Sequence, residues 1–160
     1  MHKHQRGEKA LAIADNKGNF IAPVIVKPVN KHDTTLFLDS VYNVLDVADI
    51  LQLPVENSYI TFDSAFDSEA NRVMLRYHQL IPVIKPNRRG TKDPVKIKQA
   101  LEDFDEEIYK ERFKIERCFA WQHVYRKLVI RYETLQSTYL GFRHLAYAMI
   151  NFRSIFTPPG

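Results

Sequence analysis

A carboxylate within a basic segment is the first feature of the sequence that could do chemistry. Glu116 lies directly before Arg117 in the stretch ERFKIERCFAWQHVYRKLVIRYE, residues 111–133. A basic helix can bind phosphate by itself. A carboxylate that points at phosphate repels it, unless a divalent cation lies between the two and joins them. Glu116 is therefore a candidate metal ligand.

The pattern around Glu116 predicts one long helix from about residue 107 to residue 132. On a helical wheel, a narrow polar stripe, about 60° wide, runs between two apolar flanks. Its members are Tyr109, Arg112, Glu116, His123 and Lys127. Two interpretations are open. Arg112 and Glu116 could form an i, i+4 ion pair that only stabilises the helix, or Glu116 could bind a metal while its neighbours contact phosphate.

A second candidate carboxylate lies at the end of a predicted strand. Residues 59–63, YITFD, form a short apolar run that ends in Asp63. Functional sites of α/β proteins assemble at the carboxyl ends of strands. The alternative is that Asp63 caps a helix, but Asp67 and Ser68 lie closer to the start of the helix predicted over residues 68–80.

A basic loop follows the next predicted strand, IPVIKP. It contains Lys85, Arg88 and Arg89. Solvated loop charges and contacts with a DNA backbone are both compatible with these residues.

The remaining pattern places these residues in an α/β fold. Residues 10–26 predict two strands around the turn DNKGN, with Gly18 available for a positive φ. A helix is predicted from Asp33, and further helices cover residues 94–104 and 134–155. The order is two strands, helix, strand, helix, strand and then helices, which is an α/β pattern.

Several of these segments together resemble the catalytic domain of bacterial insertion-sequence DDE transposases. They are Y-x2-R-x3-E (Tyr109, Arg112, Glu116) followed by ERCFAW, and upstream ITFDSAFDS and KPVNKHDTTLFL. The resemblance covers residues 6–153 and implies an RNase H-like mixed sheet with long C-terminal helices. In that family two Asp and one Glu hold two divalent metals, and the enzyme cuts and rejoins DNA.

The resemblance assigns roles to individual residues. Asp63 resembles the second acid and Glu116 the third, and both would be ligands of Mg²⁺ or Mn²⁺ in a complete site. Tyr109 and Arg112 resemble the residues that contact DNA near the cut. The family usually has a Lys seven residues after the Glu, where this chain has His123, and Lys127 follows one turn later. The implied partner is DNA, in particular the ends of an insertion sequence.

The first acid of the family has no counterpart in these residues. In the family it lies on a strand upstream of a hairpin like residues 10–26, whereas Asp15 is expected to be a turn residue. Residues 1–160 are therefore expected to be a partial catalytic domain without the first central strand, from a degraded copy or a split reading frame. Two functions follow. One is a transposase that is inactive as an isolated chain. The other is a non-catalytic remnant that binds DNA, itself or an intact transposase.

Composition sets wide limits on these functions. Lys and Arg outnumber Asp and Glu by 23 to 19, an excess that permits an anionic partner without requiring one. The single cysteine excludes an internal disulfide and favours a cytoplasmic location. No apolar run approaches the roughly 18 residues that a membrane span requires.

Overall fold

The computed structural model describes residues 8–28, 33–87, 93–102, 104–125, 128 and 133–156. The chain forms two compact units, one of residues 1–50 and 113–160 and the other of residues 51–112. No helix in the described ranges is both long and apolar enough to cross a membrane.

Unit 1 begins with the predicted hairpin. Strands β1 (Glu8–Leu11) and β2 (Ile25–Pro28) pair antiparallel with Leu11 opposite Ile25, and a bridge joins Ala14 to Phe20. Pro23 is exposed and lies before β2, outside the ladder of strand pairs. Helix α1 (Asp33–Ile50) packs against both strands.

The hairpin turn has the expected chemistry. Asp15 accepts hydrogen bonds at its Oδ1 from the backbone N–H groups of Lys17 (2.9 Å) and Asn19 (2.8 Å). Gly18 has a φ of +87°, which favours glycine. Asp15 is therefore a turn residue, as predicted, and its carboxylate is occupied by the turn itself.

The C-terminal helices complete the core of unit 1. Among the described residues, α5 (Phe113–Gln122) and α6 (Gln136–Phe156) pack against each other. The hairpin joins their core through a buried cluster of Ala12, Phe20, Val24, Cys118 and Tyr147. The Cys118 thiol donates to the carbonyl oxygen of Gly18 (3.0 Å), and burial raises its pKa. Cys118 is therefore a packed thiol of this core.

Unit 2 contains a strand–helix–strand motif. Strands β3 (Tyr59–Phe62) and β4 (Ile81–Ile84) pair in parallel, with Phe62 opposite Ile84. Helix α2 (Glu69–Tyr77) connects them and packs on β4. Helix α3 (Pro94–Glu102) and the short helix α4 (Glu106–Lys110) follow, and α4 packs beside both strands.

The α/β composition and the order of elements are confirmed, but the prediction of one long helix over residues 107–132 was wrong. Helix α4 ends at Lys110, and α5 begins at Phe113. The N–H groups of Glu111 and Arg112 bond to the carbonyl groups of Ile108 (3.1 Å) and Tyr109 (3.0 Å). These i→i+3 bonds tighten the last turn and close α4.

Candidate functional site at the end of strand β3

Asp63 lies directly after β3, at the carboxyl end of the parallel strand pair in unit 2. Its Oδ1 accepts the backbone N–H of Ser64 at 2.7 Å, so Asp63 caps the one-turn 3₁₀ helix Ser64–Phe66. Its side chain is 56% exposed. Within the described part of the chain, Oδ2 accepts no hydrogen bond. Asp63 is thus a cap of this 3₁₀ helix, whereas the alternative interpretation made it the cap of the next helix, α2, which Ser68 caps instead.

Two residues of the Y-x2-R-x3-E signature lie beside this carboxylate. Arg112 Nη1 is 4.0 Å from Asp63 Oδ2, at the outer limit of an ion pair. The guanidinium carbon of Arg112 lies 5.6 Å from the ring centroid of Tyr109, in the range of a cation–π contact. The Tyr109 ring in turn meets the edge of Phe104, with centroids 5.0 Å apart. The structure therefore brings Asp63, Arg112 and Tyr109 together in unit 2.

The helix break changes the interpretation of the polar stripe. Arg112 lies in the turn between α4 and α5, so the residues of the stripe do not share one continuous helix. Glu116 is exposed in the first turn of α5, in unit 1. His123 is exposed just after the end of α5.

The basic residues of the prediction are only partly described. Lys85 directly follows β4 and is exposed, so it can reach solvent or a ligand from the same strand edge as Asp63. Lys127, Arg88 and Arg89 lie outside the described residues.

One charged cluster was missed by the sequence analysis. Asp67 was considered as a helix cap, but the cap of α2 is Ser68, whose Oγ accepts the N–H of Asn71 at 3.2 Å. Asp67 instead pairs with Arg72 at 2.7 Å, and both side chains are 20% exposed. The spacing Asp-x4-Arg across a helix start is the only sequence signal for this pair, and it is weak because it fits no regular periodicity.

The carboxylates of the described residues show how far a metal site is formed. Among the described residues, no group of three or more His, Cys, Asp or Glu side chains is placed to hold a metal ion. Asp63 does fit one part of such a site, since it presents an open carboxylate oxygen, the type of ligand that Mg²⁺ prefers. Glu116 offers a second exposed carboxylate.

The chain is similar to a family of known proteins and to a curated relative. The family described as "Transposase DDE domain" matches residues 2–150. A "Putative transposase for insertion sequence element IS402" from Burkholderia cepacia is 25% identical over 145 residues. That similarity covers 90% of this chain and 62% of the relative, so the chain spans less than two thirds of the relative's length. No solved structure matches the chain significantly.

Proposed function

Because the chain belongs to the Transposase DDE domain family, we propose that it serves DNA transposition by metal-dependent cleavage and joining of DNA strands, within an RNase H-like fold. The observation that carries this proposal is the group formed by Asp63, Arg112 and Tyr109. It places a carboxylate with an open oxygen, a guanidinium and a phenol at the carboxyl end of a parallel strand.

Each residue has a physical role in this reaction. Asp63 and Glu116 serve as ligands of Mg²⁺ or Mn²⁺. A bound divalent ion supplies Lewis-acid stabilisation of charge on the phosphate and activates the attacking oxygen. Arg112 has several N–H donors in a fixed fork, which suits it to holding a phosphate oxygen. The Tyr109 ring contacts the guanidinium of Arg112 and limits its orientations. The N–H donors of Arg112 are therefore oriented in the absence of DNA.

His123, Lys127, Lys85, Arg88 and Arg89 complete the proposed DNA surface as phosphate contacts. Such contacts position a duplex and carry no base specificity. His123 would contribute a full positive charge only when its ring is protonated. The substrate that we propose is the end of an insertion sequence. A cytoplasmic location, based on the single cysteine, remains a prediction.

Duplex binding is the first test of this proposal. We expect the 160-residue polypeptide to bind duplex DNA weakly, with little dependence on base sequence. Its log–log salt slope should be shallower than the value of about −10 that extensive binders reach, because few phosphates are neutralised. Fluorescence anisotropy over a series of salt concentrations gives this slope. Replacing Arg88 and Arg89 by Ala should weaken binding equally for unrelated sequences. A strong preference for one sequence, or binding that survives high salt, would contradict the proposal.

A second candidate function is a chain that binds DNA or an intact transposase without cutting. It is the alternative because the residue-by-residue resemblance assigns two acids, Asp63 and Glu116, and leaves the first acid unassigned. A two-metal reaction needs a carboxylate that both metals share.

An assay of strand transfer by the isolated polypeptide distinguishes the two candidate functions. We expect none with Mg²⁺ or Mn²⁺ in an assay with labelled oligonucleotides, because two acids do not complete the site. Metal-dependent nicking that disappears in both Asp63→Ala and Glu116→Ala would overturn this expectation. It would mean that another carboxylate of the chain completes the site.

A further inference from the structure

The segment FDSAFD contains two aspartates four residues apart, and their surroundings differ. Asp63 has an open carboxylate oxygen. Asp67 has both oxygens occupied: Oδ1 accepts two bonds from Arg72 (Nε at 3.0 Å and Nη2 at 2.7 Å), and Oδ2 accepts the backbone N–H of Asn87 at 2.7 Å. A carboxylate whose acceptor sites are filled by protein donors is poorly available to a metal or a ligand.

The bonds of Asp67 and Arg72 connect the two strand ends. Asp67 belongs to the loop after β3, and Asn87 belongs to the segment after β4. Arg72 also donates from Nη2 to the carbonyl oxygen of Ile84, the last residue of β4, at 2.8 Å. The loop after β3 is further held by Asn71, which is 4% exposed and donates from Nδ2 to the carbonyl oxygen of Phe66 at 2.7 Å.

The hydrogen bonds of Asp67 and Arg72, which we call the clamp, lie next to residues of the proposed DNA surface. The clamp fixes residues 84–87, which include Lys85. It also fixes the loop that begins with Asp63. We propose that Asp67 and Arg72 are positioning residues, which hold Lys85 and the Asp63 loop at one strand edge so that both can engage the same DNA. This inference rests on the proposed function.

Arg72→Lys is the appropriate test because it keeps the charge and removes the fork. Lys cannot reproduce two bonds to Asp67 Oδ1 together with the bond to Ile84. We expect the affinity of the full 160-residue chain for a short duplex to fall about threefold to tenfold, in the lower part of the range found for coupled neighbours. The matched control is Arg76→Lys on the same helix. Arg76 pairs with Glu69 at 3.3 Å where both are well exposed (57% and 74%), and its replacement should leave affinity unchanged.

A double-mutant cycle separates positioning from plain stability. In a background where Lys85 is Ala, Arg72→Lys should lose most of its effect on DNA affinity, because the residue that the clamp positions has lost its charge. Hydrogen exchange provides the structural readout. The Asn87 amide should exchange faster in Arg72→Lys, while the amides of the β3–β4 pair remain protected. If Arg72→Lys does not fold, the isosteric Asp67→Asn is used for the same exchange measurement.

The outcomes are distinguishable. A parent chain without affinity for duplex DNA would overturn the proposed function and this inference with it. A parent that binds DNA while Arg72→Lys binds equally well would overturn the inference alone. The inference also fails if the affinity loss is the same in the Ala background, or if exchange accelerates throughout β3 and β4, because either result assigns the pair a purely structural role.

Discussion

Replacing Phe20 by Ala should lower the free energy of unfolding of unit 1 by about 3–5 kcal/mol, the usual cost of removing a buried phenyl ring. Phe20 is 6% exposed. Its ring stacks on Tyr147 with centroids 3.7 Å apart and an interplanar angle of 10°, and it lies 6.3 Å from the ring of Phe119. The cavity would open between the hairpin and both C-terminal helices.

The surroundings of Phe20 limit how far the cavity can collapse. The side chain of Asn151 holds the Phe20 backbone at both polar groups, accepting its N–H at 2.8 Å and donating to its carbonyl oxygen at 2.7 Å. Tyr147 is fixed from the other side, since its buried hydroxyl donates to Gln122 Oε1 at 2.8 Å. Neighbours held by hydrogen bonds relax little, which favours the upper part of the expected range.

Urea unfolding followed by tryptophan fluorescence measures this effect, because Trp121, the single Trp, lies in α5 of the same unit. Phe152→Ala is the matched control. Phe152 is 62% exposed on α6, and its loss should change the unfolding free energy by well under 1 kcal/mol. Similar unfolding midpoints for the two variants would show that Phe20 does not join the hairpin to the helices.

Local chemistry explains which elements could be predicted from the sequence. The turn at residues 15–19 depends on a side chain that bonds its own backbone and on one glycine, and both are visible in the sequence. Strands β3 and β4 are short apolar runs with polar ends. The break between α4 and α5 is different, since Glu111 and Arg112 are neither Gly nor Pro and the wheel pattern continues across them. Nothing local marks that break.

The candidate site was only partly visible for a related reason. Asp63 could be predicted because functional sites of α/β proteins assemble at the carboxyl ends of strands. Its proximity to Arg112 joins positions 49 residues apart, and the bond between Asp67 and Asn87 spans 20 residues. Such contacts depend on tertiary structure, so spacing in the sequence could not reveal which aspartate is open and which is occupied.

Mg²⁺ should strengthen DNA binding by this chain, and the effect should depend on Asp63 and Glu116. If these carboxylates face phosphate through a divalent ion, they repel DNA when the ion is absent and bind it through the ion when it is present. Asp63→Asn should therefore raise the affinity without Mg²⁺ and abolish the gain that Mg²⁺ brings. A charge-assisted contact contributes about 1.5–3 kcal/mol. We therefore expect Mg²⁺ to raise the DNA affinity of the parent about tenfold or more.

Ionic competition must be separated from this effect. Divalent cations weaken contacts between Lys or Arg and phosphate by competing for the backbone. The comparison is therefore made at constant ionic strength, with Asp49→Asn as the control. Asp49 is an exposed carboxylate on α1. Its replacement changes net charge by the same amount as Asp63→Asn and should leave the Mg²⁺ gain intact.

The most direct measurement is an anisotropy titration of one labelled duplex, with and without Mg²⁺, for the parent, Asp63→Asn, Glu116→Gln and Asp49→Asn. The assignment of Asp63 and Glu116 as metal ligands facing DNA predicts a gain with Mg²⁺ in the parent and in Asp49→Asn. It also predicts no gain in Asp63→Asn or Glu116→Gln, both of which should bind more tightly than the parent when Mg²⁺ is absent. Equal responses to Mg²⁺ in all four proteins would contradict that assignment.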